Sequence, residues 1–143
     1  MTIWLDMDGT IADLYGVDGW LEMLRAYDAT PYEVARPLVN MNTLARLLNN
    51  RQRRGYRIGI ISALSKSSTP EYDEAVKNAK LGWLRAHLAS VRFDEIRFIK
   101  YTDCKNEANE ANDILVDDEV RHLTEWKGVA IPARDFMDTL RIL

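Results

Sequence analysis

A single cysteine, Cys104, stands in a chain of 143 residues. One thiol cannot build an intrachain disulfide framework or a cysteine-only zinc site. It makes a reducing, intracellular setting the natural expectation. No apolar run approaches the roughly 18 residues that a membrane span requires. No basic segment followed by an apolar stretch leads the chain, so we expect no signal peptide, a cytoplasmic location and no membrane partner. Charge of one sign is also scarce: 19 Lys and Arg against 22 Asp and Glu give a formal net charge of −3. That balance leaves no global pull toward nucleic acid or an anionic surface. Internal repeats, low-complexity segments and linkers are absent from the sequence. What is present is ordinary, 47% hydrophobic and 29% charged, in a length that fits one domain over 1–143 with a full core.

Apolar periodicity alternates between strand-like and helix-like along the chain. Ile3 to Asp8 reads as a short buried strand. Asp18 to Tyr27 reads as a helix, with Asp18 as its N-cap and Trp20, Leu21 and Leu24 on one face. Thr30-Pro31-Tyr32-Glu33 has the layout of a capping box, with proline at the first helical position. The helix that follows should stop before Pro37. Asn42 to Arg53 is helical with Leu44, Leu47 and Leu48 inward, and Gly55 ends it. RIGIIS (Arg57 to Ser62) is a second strand. After a polar loop over Ser65 to Thr69, Thr69-Pro70 starts a long helix with Tyr72, Val76, Ala79, Trp83 and His87 at helical spacing. EIRFIKY (Glu95 to Tyr101) and ILVDD (Ile114 to Asp118) are the third and fourth strands. Val120, Leu123 and Trp126 or Lys127 mark a short helix ending at Gly128. Val129 to Ile131 is a small last strand, and Phe136, Leu140 and Leu143 mark a final amphipathic turn or two.

Strands that alternate with helices predict an α/β fold, a parallel sheet covered on both faces. Right-handed crossovers put every strand's C-terminal end at one edge, where ligands bind in open α/β sheets. Asp6 and Asp8 follow the first strand, Ser62 ends the second, and Asp117 and Asp118 end the fourth. Four carboxylates and a hydroxyl should therefore converge. Carboxylates that close repel one another unless a cation joins them. Oxygen donors without a histidine cluster select Mg²⁺ over zinc or copper.

These residues resemble the motifs of the haloacid dehalogenase superfamily of phosphohydrolases. The first motif, DxDGT, stands as Asp6-Met7-Asp8-Gly9-Thr10, and the second as Ser62 in IISALS. The third is a lysine, taken as Lys105 in YTDCKNEAN, and the fourth is the acid pair Asp117-Asp118 in LVDDE. AKLGWLRAHL, FDEIRFIKY and DILVDDEVRHLTEWKG look like the 5′-nucleotidase and deoxyribonucleotidase branch. The resemblance implies a Rossmann-like, doubly wound sheet of about five strands in the order 3-2-1-4-5. It also implies a small helical cap inserted after strand 1, over about 14–39. The activity it implies is a Mg²⁺-dependent phosphomonoesterase. Asp6 would attack phosphorus and form an aspartyl-phosphate. Asp8 would protonate the leaving oxygen and then deprotonate the water that cleaves the intermediate. Ser62 would hydrogen-bond a phosphoryl oxygen, and Lys105 would offset charge on the nucleophile and the phosphate. The metal set is Asp6, Asp8 through its main-chain carbonyl, Asp117 and Asp118, with Asp118 the direct ligand of the pair. The substrate expected first is a nucleoside monophosphate, with Tyr15, Trp20, Leu21 and Tyr27 in the insert as a stacking surface. The insert is short beside the helical bundle of typical deoxyribonucleotidases. A nucleic-acid end or another large phosphorylated substrate is therefore the alternative.

Each position has a plainer reading. Asp117 and Asp118 would also cap the helix from Val120. Lys80 is the rival to Lys105, and beside Trp83 it reads as a helix-surface residue. Arg51, Arg53 and Arg54 read as a solvated helix end that complements the dipole. His87 and His122 read as surface or packing residues, and Cys104 as unreactive. Two non-enzymatic classes share the fold, a receiver-like regulatory domain and a silent phosphate-binding protein. A receiver would place its acceptor aspartate on a central strand after the acid pair, whereas here the Asp-x-Asp step comes first.

Overall fold

Four consecutive buried residues form β1 (Thr2–Leu5), and a run buried on both faces belongs in the middle of a parallel sheet. The computed structural model describes residues 1–110 and 112–143. After β1 a tight turn leads into β2 (Ala12–Asp13), which pairs antiparallel with β3 (Arg36–Pro37). Between them lie α1 (Trp20–Arg25) and α2 (Thr30–Val34). Next come α3 (Met41–Arg53), β4 (Arg57–Ala63), α4 (Pro70–His87) and β5 (Glu95–Ile99). A 3-10 turn over Lys105–Ala108 precedes β6 (Ile114–Asp117), and α5 (Val120–Glu125), β7 (Val129–Pro132) and α6 (Phe136–Ile142) complete the chain.

The sheet order is β5-β4-β1-β6-β7, and each of these pairings is parallel. Counted along the chain over these five strands, that is the expected 3-2-1-4-5. Alternation along β1 divides the core. Ile3 and Leu5 pack with Leu44, Leu48, Ile58, Trp83, Phe136 and Leu140, whereas Trp4 packs on the other face with Ile61, Leu115 and Trp126. A third cluster of Leu14, Leu24, Tyr32, Leu64, Tyr72 and Val76 fastens the insert to α4. Two side chains of α4 reinforce it: Trp83 Nε1 donates to the Ala35 carbonyl at 2.8 Å, and the Tyr72 hydroxyl to the Asp28 carbonyl at 3.0 Å. Among the described residues, no helix is long and apolar enough to cross a membrane.

Several local expectations are corrected. Asp18 is not the cap of α1; Gly19, in the left-handed region at φ 73°, takes that place. The capping box at Thr30 does not form. Thr30 lies inside α2, and its N–H and hydroxyl both donate to Asp28 Oδ1, at 2.9 and 2.6 Å. Asp28 thus satisfies the start of the helix from two residues upstream. Arg51 does not sit on a solvated helix end with Arg53 and Arg54. It is 4% exposed, and its Nε and Nη1 find no hydrogen-bond partner among the described residues.

Candidate active site

The site is built first by the turn after β1. The Asp6 N–H donates to the Val116 carbonyl at 2.9 Å, so pairing with β6 continues one residue past the strand. Thr10, Ile11 and Ala12 all donate their N–H groups to the Met7 carbonyl, at 3.0–3.1 Å, while the Met7 side chain is buried in the core. This tight reversal turns Asp6, Asp8 and Thr10 to one side. Gly9 makes it possible. Its φ is +83°, and a Cβ at that position would lie 2.1 Å from Asp118 Oδ2. The positive φ favours glycine, and a side chain there would have to displace the Asp118 carboxylate.

Asp6, Asp117 and Asp118 each offer one carboxylate oxygen, all within 4.8 Å of one another. Thr10 Oγ1 donates to Asp6 Oδ2 at 3.0 Å, and Asp118 Oδ1 lies 3.5 Å away. Lys105, held by the 3-10 turn, donates to Asp6 Oδ1 at 2.8 Å and to Asp117 Oδ2 at 2.6 Å. The second Asp117 oxygen accepts the Glu119 N–H at 3.0 Å, as a cap for the chain entering α5. Both Asp117 oxygens are therefore engaged, while Asp118 is exposed.

Burial works against the charge of Asp6, but Lys105 outweighs it and holds the carboxyl below the usual range. Burial likewise opposes the Lys105 ammonium, yet Asp6 and Asp117 hold it above the ordinary lysine value. Asp117 is raised to about 6, by burial and then by the Asp6 charge. Asp118 is raised to about 8, again by burial and then Asp6. Asp8 is raised because burial exceeds the opposing pull of Lys80. Five residues in one turn thus carry two acids whose proton affinities are pushed apart, the division that acid–base chemistry requires.

Asp6, Asp8, Ser62, Lys105, Asp117 and Asp118 all come to this edge of the sheet, with Ser62 fully buried and outside the cavity lining. The Asp8 carboxylate stands outside the three-acid cluster, with Oδ2 2.9 Å from Lys80 Nζ. Ser62 Oγ lies 2.6 Å from the same nitrogen. Lys80 is therefore not a helix-surface residue; it is 1% exposed. The signal was present in the sequence. Tyr72, Val76 and Lys80 follow one another at four-residue intervals, and Trp83 comes three later, so Lys80 falls on the buried stripe of α4. His122 is 2% exposed and pairs with Glu119 at 3.2 Å. Its basicity is lowered by burial and by Lys105. The Cys104 thiol is pushed up by a hydrogen bond with Glu125 and by burial, which fits an unreactive thiol.

Above these groups lies a cavity of about 610 Å³. Asp6, Asp8, Lys105 and Asp118 form its floor. Leu14, Tyr15, Trp20, Leu24 and Tyr32 form one wall; Leu64 to Ser67, Tyr101 and His122 form the other. Tyr15 and Trp20 meet edge to face with centroids 5.0 Å apart. Tyr27, by contrast, packs against Tyr72 and is not part of the lining.

No family model and no curated protein sequence matches this chain. Among solved structures it is similar to the D,D-heptose 1,7-bisphosphate phosphatase from Burkholderia thailandensis. The TM-score is 0.52 at 19% identity, over 86% of this chain and 69% of that one. The two share a fold. That fold is the α/β parallel sheet in the strand order expected from the sequence.

Proposed function

We propose that the protein is a Mg²⁺-dependent phosphomonoesterase that works through an aspartyl-phosphate on Asp6. The observation that carries this reading is the floor of the cavity. Three carboxylate oxygens lie within 4.8 Å, a buried lysine bridges two of the acids, and a separate acid, Asp8, stands two residues from the nucleophile. An all-oxygen donor set without cysteine or histidine fits Mg²⁺. Asp6, Asp118 and the Asp8 main-chain carbonyl would hold the ion, with Asp117 oriented behind them by Lys105 and the Glu119 N–H. When bound, it would neutralise charge on the phosphoryl oxygens. Fold likeness to a sugar-bisphosphate phosphatase supports the same class of reaction.

The chain's own residues then have these roles. Asp6, kept ionised by Lys105, attacks phosphorus; the bond from phosphorus to the leaving oxygen breaks, and that oxygen takes the Asp8 proton. Asp8, now a carboxylate, removes a proton from water as the water attacks phosphorus. The bond to Asp6 breaks, and inorganic phosphate leaves. The raised proton affinity of Asp8 suits the acid role, and the lowered one of Asp6 suits the nucleophile. No signature residue is missing, which argues against a silent phosphate-binding protein.

A nucleoside monophosphate is the substrate we favour, because Tyr15, Trp20 and Tyr32 give the cavity an aromatic wall. Its volume lies within the roughly 300–1,000 Å³ of small-molecule sites, so a short insert suffices as a cap. A phosphorylated nucleic-acid end is the second reading, favoured by the exposure of Tyr15, Leu21 and Tyr101 around the mouth. A cytoplasmic setting belongs to the same proposal and rests on the lone Cys104. Turnover of p-nitrophenyl phosphate with and without Mg²⁺ tests the core of the reading, and metal-independent turnover would sink it. A screen of nucleoside monophosphates, sugar phosphates and phosphate-ended oligonucleotides tests the substrate. A tenfold preference for oligonucleotide ends would replace the first reading with the second.

A further inference from the structure

Lys80 has no hydrogen left for a substrate. An ammonium carries three N–H donors and no acceptor. In this site they go to Asp8 Oδ2 at 2.9 Å, Ser62 Oγ at 2.6 Å and the Ala63 carbonyl at 2.7 Å. The nitrogen also lies 4.9 Å from the centroid of the Tyr32 ring, within cation–π range. Burying a lysine to this depth is costly unless its donors are met. They are met by the turn after β1 and the end of β4, with the insert's Tyr32 above. An apolar residue would continue the stripe of α4 between Val76 and Trp83 without any of this, so packing does not explain the choice of lysine.

We propose that Lys80 is a positioning residue that aims Asp8 at the phosphoryl centre. By holding Asp8 through Oδ2 it leaves Oδ1 to face the leaving oxygen. By donating to Ser62 Oγ it fills one lone pair of that hydroxyl. Ser62 is fully buried and does not line the cavity, so this contact anchors the ammonium at the end of β4 while Asp8 faces the cavity. The two buried lysines thus divide the site. Lys105 serves Asp6 and Asp117, Lys80 serves Asp8 and is anchored by Ser62, and among the described residues they share no hydrogen-bond partner. This inference rests on the phosphomonoesterase reading.

Its consequence is a dependence on the leaving group. An alkyl oxygen needs the Asp8 proton as its bond to phosphorus breaks, whereas a nitrophenolate leaves without it. We therefore compare kcat/KM of the wild type, Lys80→Met and Lys80→Arg on p-nitrophenyl phosphate and on an alkyl monoester, a nucleoside 5′-monophosphate, in excess Mg²⁺. Misaligned general acid catalysis is worth on the order of 10²-fold. Lys80→Met should accordingly lose at least about tenfold more on the alkyl ester than on the aryl ester. Lys80→Arg, which keeps a cation and donors near Asp8, should recover part of that difference. Circular dichroism reports whether each variant folds. If Lys80→Met does not, Lys80→Gln, which keeps a donor and comparable length, is judged by the same ratio. Equal losses on both esters, or none, with an active wild type overturn the positioning role alone. A wild type that turns over neither ester overturns the phosphomonoesterase reading, and the positioning role with it.

Discussion

Replacing Lys105 by methionine removes one buried cation that two buried carboxylates share. The lysine and Asp117 side chains are each 1% exposed, and that of Asp6 is 7% exposed. Methionine fills much of the volume, so the loss is mainly electrostatic. Breaking a buried ion pair by removing one partner costs about 3–5 kcal/mol, because the other charge stays behind without compensation. Here two carboxylates lose the cation they share, so a loss within that range is expected in metal-free buffer at pH 7. For a chain of this size it corresponds to roughly 10–20 °C in Tm. Urea unfolding followed by tryptophan fluorescence reads the change, with Trp4, Trp83 and Trp126 buried in the core as reporters. The sign of the pH dependence follows from the shifts. Asp117 already sits at about 6 with Lys105 present, and it rises further without it. Acidification from pH 7 to 5 lets the orphaned carboxyls take protons, so the penalty shrinks. Toward alkaline pH it stays full until Lys105, itself held above the ordinary lysine value, loses its proton. Adding Asp117→Asn to Lys105→Met should return part of the lost stability, since it removes one orphaned charge. A penalty below about 1 kcal/mol at pH 7, the range of an exposed pair, would refute this account, as would a penalty that does not shrink at pH 5.

Asp6→Asn should leave the fold intact and lower phosphatase turnover by four orders of magnitude or more, roughly the scale of losing a nucleophile; near wild-type activity in the purified variant would reassign the nucleophile. Asp118→Asn should weaken Mg²⁺ binding more than Asp117→Asn, because both Asp117 oxygens already have partners; a Mg²⁺ titration showing the larger loss at Asp117 would reverse the order. The same Asp118 variant should melt higher than the wild type in EDTA, since the raised Asp118 carboxyl marks a charge that the metal-free fold tolerates poorly at neutral pH and above. Gly9→Ala should cost about 1–3 kcal/mol for a strained positive φ and should weaken Mg²⁺ binding by displacing Asp118; wild-type affinity in that variant would contradict the contact.

Most of the sheet was legible because β1, β4 and β6 are continuous apolar runs, and the alternation with helices fixes their direction. Strand-end placement then gathered Asp6, Asp8, Ser62 and the acid pair without knowledge of a single side-chain distance. Short-range details were harder. The ribbon of β2 and β3 has two residues a side, too few for a period to show. At Thr30 the sequence offers two competing uses of one hydroxyl, cap acceptor for a helix N–H or donor to Asp28. The turn at Asp28 decided it by taking both the Thr30 N–H and the hydroxyl. Arg51 lies at the end of a helix rich in arginine, where charge alone suggests a solvated face. It is buried instead.

Lys80 shows the physical limit of reading chemistry from a pattern. Helical spacing placed it on the inner face of α4, and residue type argued for the outer one. A buried lysine is stable only if acceptors meet it, and its acceptors lie 72, 18 and 17 residues away in the chain. Nothing local could announce them. The conflict itself was the signal, because a charged residue on an apolar stripe demands partners brought by the fold. The same reasoning separates the two lysines. Lys105 stands on a short turn before β6 and meets Asp6. Lys80 comes from a long rigid helix whose N-terminal half also carries the insert through Tyr72 and Val76. The insert's Tyr32 lies over the Lys80 ammonium, and the ammonium in turn holds Asp8. A shift of the insert would therefore change the surroundings of Lys80, which makes α4 an element through which the insert and Asp8 are joined.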